Sequence, residues 1–121
     1  ADGDWHHRKA SKAAAALADA GVPVLLGSHG QMQGIGTHWE LWALADGHAE
    51  DGMQKAVKAG TIDAAWYLGL EEDLGSIEPG KIADAVILSD DLFENPQNSL
   101  SIEEIMKDGI RYDPRTLETP K

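Results

Sequence analysis

The chain has no cysteine, one phenylalanine, two tyrosines, and only 10 Lys and Arg side chains against 21 Asp and Glu. Without cysteine there can be no disulfide framework, thiolate zinc site or cysteine nucleophile, while the compartment stays open. The shortage of positive charge, a formal net charge of -11, argues against phosphate backbones and anionic lipid, so neither nucleic acid nor membrane is expected as a partner. Such acidity otherwise serves solubility. Long apolar runs are missing too. None approaches the roughly 20 residues that span a bilayer, and no signal-peptide pattern opens the chain.

What is present suits one domain with a modest core: 121 residues, 42% hydrophobic and 26% charged. Asp4 to Ala20 reads as a helix, rich in alanine from Ala13 to Ala16, with Asp4 as its cap and Gly21 at its end. "VPVLLGS", Val22 to Ser28, is an apolar run without polar alternation, the pattern of a strand buried on both faces of a parallel sheet. Its beginning tolerates Pro23. "THWE", Thr37 to Glu40, matches a capping box for a helix ending near Gly47. A third helix is expected from about Glu50 to Leu68, weakened in its middle by Gly60 and Thr61. After Leu74 come two turn signals, Gly75-Ser76 and Pro79-Gly80, and a strand at about Ala83 to Leu88. Ile102 to Met106 and Gly109 to Tyr112 read as a strand pair turning at Asp108-Gly109, and the tail from Pro114 to Lys121 as frayed. A buried parallel strand at Val22 to Ser28 wants neighbours that no other segment supplies.

The stretch Ala64 to Leu88 carries the pattern Leu68-Gly69-Leu70, then Gly75-Ser76-Ile77, Gly80-Lys81 and Ala83-Asp84. It resembles the C-terminal end of the amidohydrolase superfamily, metal-dependent hydrolases built on a (β/α)8 barrel with a small β-sandwich. The closer likeness, through "HGQMQGIGTHWE", is to a peptidase, prolidase and imidazolonepropionase-like branch. The fold class implied is α/β: the last strand and helices of the barrel over residues 1–73, sandwich-type strands over 74–113, and a flexible tail over 114–121. The activity implied is hydrolysis of an amide or peptide C–N bond in a small substrate, by water activated on a divalent metal, zinc being the expected ion. The mid-barrel ligands of such a centre are not in this chain, so a fragment inactive alone is expected.

The resemblance places Val22 to Ser28 as the eighth barrel strand, and barrel active sites lie at the C-terminal ends of strands. Most of the superfamily has a metal-binding aspartate there; His29 holds the position here. A neutral imidazole can bind zinc and act as a base, but cannot bridge two metals as a carboxylate can. His29 is thus the candidate metal ligand and general base, with His38 and Trp39 as candidate substrate contacts.

Other residues read as structural. His6 and His7 point about 100° apart on a helix and chelate poorly. Trp42 and Trp66 are expected as core anchors. Gly27, Gly30, Gly34 and Gly36 lack the Lys-Ser/Thr of a phosphate loop. Glu40 belongs to the capping box, and Asp84 to a turn or strand edge. The alternative function is a non-catalytic association module, folding by pairing with another copy or with a separate N-terminal chain. Uncovered apolar faces would drive that pairing.

Overall fold

A computed structural model describes residues 6–28, 32 and 34–119. Four helices come first: α1 (His6–Asp19), α2 (Ile35–Gly47), α3 (Gly52–Ala59) and α4 (Ile62–Leu68). Three strands follow, β1 (Ala85–Leu88), β2 (Ile102–Lys107) and β3 (Ile110–Tyr112), with a 3-10 helix, Pro96–Leu100, between the first two.

The alanine-rich helix forms where composition favours it, and it closes as its glycine dictates. Val22 N–H donates to Leu17 O and Gly21 N–H to Ala18 O, both at 3.0 Å. This is the Schellman pair of bonds that satisfies the last carbonyls. The same device explains "LGL". Gly69, at φ +71°, lets Leu70 N–H reach Ala65 O at 2.9 Å and Gly69 N–H reach Trp66 O at 3.0 Å.

The core is small and alanine-rich. Leu44, Ala56 and Ala59 are buried together, with Ala14, Val24, Leu26, Leu41 and Ala45 packed against them. Helices α1, α2 and α3 therefore meet around one apolar centre.

The expected single helix from Glu50 to Leu68 is two. Gly60 and Thr61 separate α3 from α4, and the Thr61 hydroxyl bonds back to Val57 O at 2.8 Å, a local bond that competes with helix continuation. The capping box is also corrected. α2 starts at Ile35 behind Gly34, so Thr37 lies inside the first turn, and its hydroxyl bonds Ser28 rather than the helix start. Val22 to Ser28, expected as a strand, forms none. A strand needs a hydrogen-bonded neighbour, and the sheet among the described residues is β1-β2-β3 alone. The apolar pattern is still used, since Val24 and Leu26 pack on the core.

The sheet is antiparallel throughout. β1 pairs with β2 in the register Ala85 to Met106 and Val86 to Ile105, with an irregularity between Ile87 and Leu88. β2 pairs with β3 as Ile105 to Tyr112 and Lys107 to Ile110, across the expected turn at Asp108 and Gly109. Asp84 locks that corner: its carboxylate accepts from Asp108 N–H at 2.7 Å and from Lys107 Nζ at 2.5 Å. The link from helices to sheet turns at Gly75, whose φ is +92°. A Cβ there would stand 2.8 Å from both Ala65 Cβ and Ile62 Cα, so only glycine lets the chain pass α4 this closely. Lys81, its side chain 13% exposed, fastens the same turn by donating to Glu71 O and Ser76 Oγ, each at 2.6 Å.

Candidate functional site

The end of the Val22–Ser28 segment is held by two side chains of α2. Gly27 N–H donates to Glu40 Oε2 at 3.0 Å, and the Ser28 and Thr37 hydroxyls bond each other at 2.8 Å. Thr37 and Glu40 are three residues apart and share one face of α2. That face clasps the end of the apolar segment. Met32 O accepts from Gly36 N–H at 2.8 Å, carrying the loop into the helix. His29, the candidate metal ligand and base, lies outside the described residues, as do Gly30, Gln31, Gln33 and Trp5.

His38 stands on a different face. Its Nδ1 is 2.9 Å from Ser99 Oγ, and Trp42 Nε1–H donates to the same oxygen at 2.9 Å. The two rings are tilted by 45° with centroids 6.4 Å apart. Ser99 is 5% exposed and lies on the 3-10 helix, so this node ties the helical part to the segment joining β1 and β2. Trp39, between these faces, is exposed. Trp42 is half-buried and holds its indole nitrogen in the node, in keeping with an anchoring role. Trp66 departs from the expectation: it is 54% exposed. In α4 the buried residue is Ala65, and the next position turns about 100° away from it.

One polar cluster escaped the sequence reading. The His48 side chain is 2% exposed, with Nδ1 3.7 Å from Asp19 Oδ1 and 3.4 Å from Lys55 Nζ. Lys55 also pairs with Asp19 at 3.0 Å. These three rim a cavity of about 400 Å³ floored by Val22, Val24, Leu44, Ala59 and Trp66. No spacing announces it, because the members come from the end of α1, the end of α2 and the middle of α3.

An amidohydrolase family model matches residues 1–110. The chain belongs to the amidohydrolase family. This amidohydrolase chain is 42% identical over 55 residues to an adenine deaminase of Paracoccus denitrificans, a match covering 46% of the chain and 8% of that enzyme. It is 51% identical over 39 residues to an imidazolonepropionase of Picrophilus torridus, covering 32% of the chain and 10% of the relative. Among solved structures it superposes on a Xaa-Pro dipeptidase with methionine bound in the active site, at a TM-score of 0.73 and 26% identity. That match covers 85% of the chain and 25% of the dipeptidase. The chain thus spans a tenth or less of the curated relatives it matches and a quarter of the dipeptidase.

Amidohydrolases are generally metal-dependent. Among the described residues no three His, Asp or Glu side chains converge as a group able to hold a metal. Glu40, the carboxylate nearest the loop in sequence, is engaged by Gly27. The described residues therefore do not fit a complete metal site.

Proposed function

We propose that this chain contributes one wall of the active site of an amidohydrolase that cleaves an amide or peptide C–N bond in a small substrate. The barrel-plus-sandwich architecture of the family, with Val22 to Ser28 at the place of the last barrel strand, is part of the same reading. The observation that carries it is the double clasp of Glu40 on Gly27 and Thr37 on Ser28. It fixes the chain immediately before His29, where the family keeps a metal-binding residue. His29 is then the ligand and base. His38, with Nδ1 engaged by Ser99, has Nε2 left to meet substrate, and Trp39 offers an exposed ring beside it. A divalent metal, when bound, would polarise water, and of the residues of this chain His29 would hold it. Dipeptides of the Xaa-Pro class are the first substrates to try, given the structural relative.

The test uses the native gene product from its source. His29→Ala is expected to lower hydrolysis of Xaa-Pro dipeptides by at least 100-fold and to reduce bound metal measured by mass spectrometry. Full activity and unchanged metal content in that variant would overturn the assignment.

A second reading, a module that folds against another chain or copy, is favoured by one observation. Trp66, Tyr67 and Leu68 are 54%, 70% and 66% exposed in consecutive positions, a patch that association would cover. Light scattering on the isolated chain separates the readings: a monodisperse monomer counts against association.

A further inference from the structure

The node joining His38, Trp42 and Ser99 has a donor arithmetic that favours one solution. An indole nitrogen only donates, so Ser99 Oγ accepts from Trp42. The serine still has one hydroxyl hydrogen to place, and Ser99 is buried. A buried hydroxyl seeks an acceptor, and His38 Nδ1, at 2.9 Å, is the acceptor available to it among the described residues. Neutral imidazole that accepts at Nδ1 carries its proton on Nε2.

We infer that Ser99 is a positioning residue for His38. Its hydroxyl donates to Nδ1, keeps the imidazole proton on Nε2, and presents that nitrogen as a hydrogen-bond donor to a carbonyl or carboxylate oxygen of the substrate. Only the last step rests on the proposed function; the tautomer follows from the node itself. Trp42 contributes by occupying one lone pair of Ser99, which narrows the directions the hydroxyl hydrogen can take. Because Ser99 sits 61 residues beyond His38, the segment before β2 sets the protonation pattern of a residue in the first turn of α2.

Two measurements test this. In the full 121-residue chain, nitrogen-15 NMR above the histidine titration is expected to show His38 protonated on Nε2, with Nδ1 bearing the shift of a hydrogen-bonded acceptor. Ser99→Ala should lose that Nδ1 signature, and Ser99→Thr, which retains a hydroxyl, should restore it. Trp42→Phe should keep it, and so separates the tautomer from general loosening of the node. A proton on Nδ1 in the wild-type chain, or an Nδ1 resonance unmoved in Ser99→Ala, would overturn the inference. In the native gene product, Ser99→Ala is expected to raise KM for an Xaa-Pro dipeptide at least threefold with kcat within twofold. An unmoved KM beside a lost Nδ1 signature would overturn the donor role of His38. It would leave C–N hydrolysis standing, because that reading is judged on His29→Ala.

Discussion

Glu40 Oε2 accepts the backbone N–H of Gly27 at 3.0 Å, so a carboxylate of α2 holds the end of the apolar segment rather than the end of its own helix. The contact joins two stretches 13 residues apart and holds the chain two residues before His29. Its removal has a local signature.

Replacing Glu40 with Ala should speed hydrogen exchange at the Gly27 amide by about tenfold, corresponding to about 1.4 kcal/mol for a bond to a charged acceptor, while global stability falls by less. Glu40→Gln keeps an oxygen acceptor and should fall between the two. Equal exchange in all three proteins would mean the clasp does not form in solution.

Gly75→Ala combines a left-handed backbone with a Cβ only 2.8 Å from Ala65 Cβ and Ile62 Cα. A loss of about 2–4 kcal/mol is expected, the sum of strain and overpacking. Urea denaturation measures it, and a change under 1 kcal/mol would show that α4 can move away from the turn without penalty.

Lys81 donates to Glu71 O and Ser76 Oγ from a nearly enclosed position. Lys81→Met keeps the stem and deletes the ammonium, and should destabilise the chain by about 2 kcal/mol. The same urea titration checks it, with Lys58→Met on the exposed surface as the comparison expected to cost little.

Acid should loosen the turns around the sheet only well below the ordinary carboxylate range. Asp84 is held below the usual aspartate range, chiefly by the Lys107 ammonium and then by Asp108 N–H. Asp113 is held low chiefly by Arg115 N–H, and Glu78 chiefly by the Ser76 hydroxyl and then Lys81. Folded values below unfolded ones mean that the contribution is complete above the ordinary carboxylate range and is lost as pH falls through the depressed folded values. Amide shifts of Asp108 and Arg115, followed by NMR from pH 6 downward, should therefore move late in the titration. Asp84→Asn should flatten the acid limb at Asp108. A transition at or above the ordinary aspartate value would contradict the sign.

Dialysed against buffer without chelator, the isolated chain should retain well under one equivalent of zinc, since the described residues bring no three ligands together. Retention of a full equivalent, lost on His29→Ala, would place a complete site in this chain.

The turn chemistry was legible from the sequence because it is local. Gly21, Gly69 and Asp108-Gly109 each specify a backbone conformation that short-range bonds complete, and the string from Leu68 to Asp84 identified the family before any packing was known. Composition likewise fixed the helical character of α1 and the weak point at Gly60 and Thr61, although it did not show that the weakness becomes a break.

Tertiary structure decided what those elements touch. "THWE" fits a capping box equally well whether Glu40 reaches back or outward; the nearness of Gly27, 13 residues earlier, settled it outward. Trp66 has the bulk of a core anchor, but its place beside Ala65 on a two-turn helix turned it to the surface. Val22 to Ser28 has the composition of a buried strand, yet strand structure is a property of pairs, and among the described residues no strand lies beside it. The nodes at His38 and Ser99, and at Asp19, His48 and Lys55, join residues from separate elements. Hydrophobic periodicity carries no trace of such meetings, because it records which face of an element is buried and not which polar atoms are brought within hydrogen-bonding distance of one another.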